Sequence, residues 1–264
     1  MGQSKVFYAP TGDAAMDAAY ERARATFKYF WRELTWEQRR IVPALSLAAV
    51  KVGFEEDDAV EHMWLGEIGF DGERVHGTLL NAPNTLRSLR AGDIVTVAPN
   101  EIEDWMYAID GRTYGGFTVH AMRKKMAPAA RKQHDDAWGY DFGDPDRIAL
   151  VPDWNVKKPG LLGRLFGSTP PASAPSNPDD EHPMSENMVG KLAQAIAQQP
   201  DAVLRSTDDA GLTTLHAMAL GGSEGAVRVL LEKGADRHAK TKSGKTALDF
   251  AEAMGWPRVM ALLR

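Results

Sequence analysis

Five polar and aromatic residues in the N-terminal half of the chain have types that could form a ligand pocket: Trp64, Asn81, Asp104, Trp105 and Thr118. The carboxylate of Asp104 could act as a general base, but only beside a polarised partner that the sequence does not identify. Asp104 could instead orient a backbone turn or a neighbouring guanidinium. Asn81 precedes Ala82-Pro83 and has the position of a turn residue.

The residue pattern offers little support for metal or thiol chemistry. The chain has no cysteine, which removes disulfides, thiol nucleophiles and cysteine-ligated metals. His62, His76 and His120 lack the close spacing of a metal pair. The acidic run at 55–58 lacks the alternating ligands and the glycine of a calcium loop, so it is expected to be a solvated turn. No phosphate-binding loop or nucleophile elbow occurs either. We therefore expect no bound cofactor or metal, and the sequence identifies no catalytic residue.

The sequence around these residues predicts one long helix followed by short strands. Residues 13–40 carry apolar side chains at three- and four-residue spacings, which predicts a helix that ends before Pro43. The apolar runs that follow predict strands over 45–54, 60–70, 74–80, 93–98, 105–109 and 116–122. Asp71-Gly72 and Asp110-Gly111 are typical of hairpin turns. We therefore expect an α+β domain, an N-terminal helix with a curved antiparallel sheet.

Five short motifs follow one another in this region: Glu61–Leu65, Gly77–Pro83, Gly92-Asp93, Ile102–Met106 and Gly115–Thr118. In this order they resemble the YegJ-like bacterial domains of unknown function, over about residues 23–125. The resemblance implies a fold and no particular chemistry, because the activity of that family is itself unsettled. All five candidate pocket residues lie on these motifs.

The C-terminal part contains an internal repeat. Gly211–His216 recurs as Gly244–Asp249 at an offset of 33 residues, and the apolar positions that follow align at the same offset. Together with Leu230–Asp236, this run resembles the signature of the ankyrin repeat family, over about residues 185–264. The resemblance implies an all-α helical repeat domain that serves as a binding scaffold.

Each signature position has a physical role in such a repeat. Gly211 and Gly244 release the backbone from a turn into the first helix, and Thr213 and Thr246 can cap that helix with a hydroxyl. In the ankyrin family the position of His216 forms hydrogen bonds within the repeat. The resemblance therefore implies a structural role for this histidine.

The array is short, with one leading helix at about 185–199 and two repeats, whereas stacked repeats generally need at least about three units. We therefore expect the leading helix or the first domain to cap the open side of the stack. The partner-binding positions of an ankyrin-like array would be its fingers, the turns that lead into the first helix of each repeat. Alternatively, these turns form only a solvated polar face that binds no partner. We call these residues the finger surface: Ser206, Asp208, Asp209, Lys240, Lys242 and Ser243.

A linker separates the two parts of the chain. Residues 168–178 are rich in Pro, Ser and Ala and lack apolar periodicity, which predicts an extended segment. Leu161–Gly167 is short and apolar, and we expect it to dock on a neighbouring surface or to form a single helical turn. The predicted domains are a YegJ-like domain at 1–153, a linker at 154–183 and ankyrin-like repeats at 184–264.

The formal charge of −5 is unevenly distributed along the 264 residues. Residues 1–150 carry −5, residues 151–183 carry −1 and residues 184–264 carry +1. Neither part is the basic body of a nucleic-acid binder, and no stretch resembles a signal peptide or a bilayer span. We expect a cytoplasmic protein without direct nucleic-acid or membrane binding.

Three functions agree with these patterns. The leading hypothesis is a non-enzymatic bacterial protein–protein interaction protein. Ankyrin-like modules beside small domains of unknown function resemble immunity proteins of bacterial toxin systems, and an acidic first domain would suit a basic toxin domain as the partner. The alternatives are an enzyme or small-ligand-binding module with its pocket in the N-terminal domain, and an adaptor that recruits a cellular protein.

Overall fold

The computed structural model describes residues 13–154 and 176–264. Contacts divide the chain into two compact units. The sheet unit contains the residues up to Phe30 and Ile41–Ala149, and the repeat unit contains Trp31–Arg40 and Leu150–Arg264. The predicted docking segment at 161–167 and most of the predicted linker lie outside the described residues. Across the two described ranges, every helix is too short or too polar to cross a lipid bilayer.

Helix α1 (Ala14–Glu37) confirms the predicted N-terminal helix. The carboxylate of Asp13 accepts a hydrogen bond from the amide of Ala15 (3.1 Å), which satisfies one of the free donors at the start of the helix. Ala23, Phe27 and Phe30 recur at four- and three-residue spacing and are buried in the sheet unit. The apolar period seen in the sequence is therefore the face that packs on the sheet.

Six antiparallel strands form one curved sheet in the order β4-β3-β2-β1-β5-β6, which confirms the predicted fold class. The strands are β1 (Leu45–Glu56), β2 (Ala59–Phe70), β3 (Val75–Leu79), β4 (Ile94–Val97), β5 (Ile102–Ile109) and β6 (Arg112–Gly115). β1 lies at the centre and pairs with β2 on one side and β5 on the other. Asp110 (φ 50°) and Gly111 (φ 80°) join β5 to β6 in a two-residue turn, as predicted.

The prediction of a strand over Gly116–Met122 is wrong. Gly116 is the N-cap of helix α2 (Phe117–Lys124), and the rest of the segment lies in that helix. Gly115 (φ 74°) and Gly116 (φ 71°) adopt left-handed conformations that turn the chain out of β6. Residues 117–120 alternate between apolar and polar types, which suggested a strand, but all four are buried. Helix α3 (Pro128–Trp138) follows and buries none of its residues.

The sheet packs on both of its faces. On the α1 face, the indole of Trp105 lies 5.9 Å from the ring of Phe30, and its Nε1 donates to the carbonyl of Ala23 (3.0 Å). On the opposite face, Met106 and Val119 pack with Phe142 in a second apolar cluster. β5 is therefore buried on both sides, so that its polar residues need internal partners.

The repeat unit consists of paired helices: α4 (Pro183–Gln198), α5 (Pro200–Leu204), α6 (Thr214–Leu220), α7 (Glu224–Glu232), α8 (Ala247–Met254) and α9 (Pro257–Leu263). α6 packs on α8, and α7 packs on both α4 and α9. The predicted leading helix, α4, thus stacks where the second helix of another repeat would lie. This helical region is consistent with ankyrin repeats.

Hydrogen bonds confirm the predicted roles of Thr213, Thr246 and His216. Thr213 caps α6, and the Nδ1 atom of His216 accepts from the Thr213 amide (3.1 Å) while its Nε2 atom contacts the carbonyl of Ala239 (3.0 Å). Thr246 caps α8, and its amide donates to Asp249 (2.7 Å). His216 is therefore occupied on both ring nitrogens by the repeat itself.

The C-terminal end of α1 belongs to the repeat unit. The guanidinium of Arg32 lies 5.3 Å from the ring centroids of both Trp154 and Trp256. A Cβ atom added to Gly221, in the turn after α6, would lie 3.0 Å from the hydroxyl of Thr35. Trp31–Arg40 thus packs against the turns within the helix pairs, at the ends of α6 and α8 that are remote from the fingers.

A buried ionic cluster joins this segment to α4. The carboxylate of Glu33 accepts a hydrogen bond from Arg40 (2.8 Å) and contacts Nε2 of His182 (3.3 Å). The other ring nitrogen of His182 accepts from the amide of Met184 (3.1 Å), so this histidine caps α4. Glu33 and His182 are both buried.

Candidate functional site

Asp104 is the chemical centre of the candidate pocket in the sheet unit. It lies on β5, is fully buried and accepts four hydrogen bonds. The donors are the amides of Trp105 (2.8 Å), Phe117 (2.9 Å) and Thr118 (2.7 Å) and the hydroxyl of Thr118 (2.6 Å). Two of these amides open α2, so the carboxylate holds the start of this helix against the sheet.

Lys51 and Trp64 lie beside Asp104 on the same face of the sheet. Lys51 on β1 is directly paired with Asp104 on β5 and with Trp64 on β2, and directly paired residues point to the same face. The ammonium of Lys51 donates to the hydroxyl of Thr118 (3.5 Å). Burial raises the pKa of Asp104 to about 6, against the opposing effects of Thr118 and Lys51. Burial also lowers the pKa of Lys51.

The structure brings together three of the five candidate pocket residues. Asp104, Thr118 and Trp64 share the α2 face, whereas Trp105 lies on the α1 face of β5. Asn81 is exposed in the connection between β3 and β4. The carboxylate of Asp104 can anchor a helix, and its two oxygens already receive four donors, which leaves little capacity for a substrate.

Lys51 belongs to this network but was not among the candidate residues predicted from the sequence. Its signal was a single charged residue in the middle of the apolar run from Leu45 to Phe54. A charge at such a position is expected to have a partner. The identity of that partner depends on strand register, which the sequence does not show.

Two glutamates that the sequence does not mark as site residues hold the connection between β3 and β4. Glu61 accepts hydrogen bonds from the amides of Asn84 (2.9 Å), Thr85 and Leu86 (3.2 Å). Burial acts to raise the pKa of Glu61, but a hydrogen bond from the Thr85 hydroxyl and those from the three amides outweigh it and lower the pKa to about 2. Glu56, in the acidic run expected to be solvated, accepts from the Ser88 amide (3.0 Å) and hydroxyl (2.6 Å).

The finger surface contains both structural and free side chains. Asp208 accepts from the amides of Ala210 (2.9 Å) and Leu212 (2.8 Å) and so fixes the first finger. The Ser206 hydroxyl donates to the carbonyl of Ala202, and the Ser243 hydroxyl lies 2.9 Å from that of Thr241. These three members of the finger surface support its backbone.

The remaining finger residues, Asp209, Lys240 and Lys242, are exposed. The amide of Lys242 donates to the carbonyl of Ala210 (3.0 Å), so the two fingers lie side by side. Gly211 permits this approach, because a Cβ atom there would lie 2.9 Å from the Lys242 nitrogen. The structure thus places an acidic and a basic fingertip next to each other.

Over residues 13–154 and 176–264, no group of three histidine, aspartate or glutamate side chains is arranged to hold a metal ion.

Comparisons with known proteins match both parts of the chain. Residues 13–142 match a family described as uncharacterized proteins conserved in bacteria (DUF2314), and residues 197–251 match ankyrin repeats. A protein of Neisseria meningitidis serogroup B whose name assigns it to the ankyrin repeat proteins is 42% identical over 267 residues. That alignment covers 100% of this chain and 98% of the relative.

Two further relatives match over shorter stretches. The uncharacterized protein YegJ of Escherichia coli is 28% identical over 71 residues, 27% of this chain and 46% of that protein. The human NAD-capped RNA hydrolase NUDT12 is 37% identical over 79 residues, which are 30% of this chain and 17% of that enzyme. These matches confirm the resemblances to the YegJ-like and ankyrin families that were inferred from motifs.

Proposed function

Because the chain belongs to a family of bacterial ankyrin repeat proteins with an N-terminal DUF2314 domain, we propose that it is a non-enzymatic protein that binds another protein through its finger surface. Ankyrin repeats suggest protein–protein interaction. The observation that carries the proposal is the pair of adjacent, hydrogen-bonded fingertips whose charged side chains are exposed. Within the described residues, Asp209, Lys240 and Lys242 form no ion pair.

Reversing these three charges in the full-length chain (Asp209→Lys, Lys240→Glu and Lys242→Glu) should reduce recovery of the partner at least tenfold. The reason is that a charge mismatch across an interface costs several kcal/mol, whereas exposed substitutions usually change stability by less than about 0.5 kcal/mol. The measurement is cross-linked pull-down from the native cell with quantitative mass spectrometry, alongside a thermal melt.

The matched control reverses two exposed charges at the end of α7, Glu232→Lys and Lys233→Glu, which lie outside the finger surface. This control should recover the partner as well as the wild type does. Equal recovery by the finger variant and the wild type would contradict binding through the fingers.

The enzyme hypothesis has less support than the binding hypothesis. It rests on the candidate pocket, where Asp104, Trp105 and Thr118 are fully buried and hydrogen-bonded to their own fold. Such partners favour a structural role for these residues.

We further propose that the partner is a basic toxin domain, which the protein neutralises in the cytoplasm. The charge of −5 in residues 1–150 supports this narrower proposal, since complementary charge speeds association. Co-expression with a toxin-like protein encoded beside this gene should restore growth, and association should slow as salt is added. Absence of both protection and binding would contradict immunity, and recovery of a housekeeping protein instead would support an adaptor.

A further inference from the structure

A cleft of about 990 Å³ opens in the sheet unit beside the first turns of α1. Its wall includes Tyr20 and Arg24 from α1, Gly53 from β1, His62 from β2 and Glu103 from β5. This volume lies at the upper end of the range for small-ligand sites, roughly 300–1,000 Å³. None of the five candidate pocket residues lines the cleft, so it is a separate feature.

A histidine–carboxylate pair is built into the wall of this cleft. The Nδ1 atom of His62 lies 2.7 Å from Oε2 of Glu103. Glu103 is the extra residue of a β-bulge in β5, and bulges re-aim side chains at functional sites. Gly53, paired with His62 across the strands, gives the carboxylate its room, because a Cβ atom there would lie 2.6 Å from Oε1. Within the described residues, that second oxygen accepts no hydrogen bond.

An aromatic ring completes this corner of the cleft. The phenol ring of Tyr20 is tilted by only 28° from the imidazole of His62, with 6.3 Å between the ring centroids. Burial and the negative charges of Glu103 and Asp17 raise the pKa of Tyr20 to about 12. The phenol is therefore a neutral, half-buried surface in a negative field.

The cleft is negatively charged. Its wall contains six carboxylates: Asp13, Asp17, Glu55, Asp58, Glu101 and Glu103. Arg24 also lies in the wall, and its guanidinium donates a hydrogen bond to the carbonyl of Ile102 (3.3 Å). No basic side chain in the described part of the chain forms an ion pair with Asp17, Glu55 or Asp58. A cation would thus be attracted and an anion repelled.

We propose that this cleft binds a guanidinium group, carried by a small molecule or by an arginine side chain of a polypeptide. A guanidinium is planar, so it can stack on the ring of Tyr20 or His62. Its N–H groups can also donate to the open oxygen of Glu103. A lysine ammonium would feel the same field but would lack the planar stacking and the fork of donors. The inference is independent of binding through the finger surface.

Titration calorimetry of the full-length protein tests the ligand class. The probes are arginine amide and the peptide acetyl-Gly-Arg-Gly-amide, each compared with its citrulline counterpart, which is neutral but similar in shape. We expect saturable binding of an arginine probe, no binding of the citrulline counterpart and at least tenfold weaker binding of the lysine counterpart. Preference for the amide or for the peptide distinguishes the two sources. Absence of saturable binding, or equal binding of citrulline, would overturn the proposal.

Substitutions locate the site. Glu103→Gln should weaken binding of the arginine probe at least tenfold, and Asp17→Asn, at an exposed position on α1, should weaken it several-fold without affecting folding. Asp136→Asn, an exposed carboxylate on α3 outside the cleft, is the control and should leave the affinity unchanged. Wild-type affinity in both Glu103→Gln and Asp17→Asn would show that the cleft is not the site.

Discussion

Replacing Asp104 by alanine is expected to lower the free energy of unfolding of the sheet unit by about 3–5 kcal/mol. The substitution leaves the buried amides of Phe117 and Thr118 and the Thr118 hydroxyl without their acceptor, and it removes the negative charge beside Lys51. Chemical denaturation measures the loss, and hydrogen exchange at the first amides of α2 should show that it begins there. If Asp104 were the general base of an enzyme, the same substitution would give the opposite result: turnover would be lost and the melting transition would be unchanged.

Two further variants control this experiment. Asp104→Asn keeps one acceptor oxygen but turns an amide group towards existing donors, so its cost should be smaller, about 2 kcal/mol. Asp136→Asn removes an exposed carboxylate paired with Lys132 and should change stability by less than about 1 kcal/mol. If Asp104→Ala were as stable as Asp136→Asn, Asp104 would not anchor α2.

Glu33→Ala is expected to destabilise the repeat unit by about 3 kcal/mol, because Arg40 and the buried His182 lose their shared carboxylate. Hydrogen exchange of peptides from α4 and α6 should report the change. Glu232→Ala, at an exposed position on α7, is the control and should have little effect. Unchanged exchange in α4 after Glu33→Ala would contradict a stabilising role for the cluster.

The same cluster makes the repeat unit sensitive to acid. Burial acts to raise the pKa of Glu33, but His182 and Arg40 lower it below its usual value. Its stabilising effect is therefore present above about pH 4.5 and is lost as the pH falls below that. Burial lowers the pKa of His182, so the unfolded chain takes up a proton first as the pH falls below about 6.5. Melting temperatures should fall from pH 7 to pH 4, and the difference between wild type and Glu33→Ala should narrow below pH 4.5.

Local signals in the sequence predicted most of the helices and strands. The strand wrongly predicted at 116–122 is explained by long-range contacts, which such signals do not contain. The Asp110-Gly111 turn and the Thr213 cap depend on neighbouring residues only, so their residue types sufficed. The start of α2 depends on Asp104, 13 positions before Phe117, and on two successive left-handed glycines. Apolar periodicity contains no information about that carboxylate, so the segment resembled a strand.

The candidate sites show the same contrast between features that local residue types predict and features that depend on long-range contacts. Residue types indicated Asp104 and Thr118 but not their partner Lys51, because strand register brings the lysine to them. The cleft depends on a bulge that aims Glu103 and on the missing side chain of Gly53. Neither feature has a signature in a single sequence, since both arise from how two strands are aligned.

The position of Trp31–Arg40 in the repeat unit has an evolutionary consequence. Ankyrin repeats are often treated as interchangeable cassettes, but gene rearrangement that moved only residues 176–264 would leave Glu33 and Arg32 behind. The transferred array would have lost the carboxylate beside His182 and the cation beside Trp256. Inheritance of the two parts together should therefore be favoured over recombination between them, and the Neisseria relative does align along the whole chain.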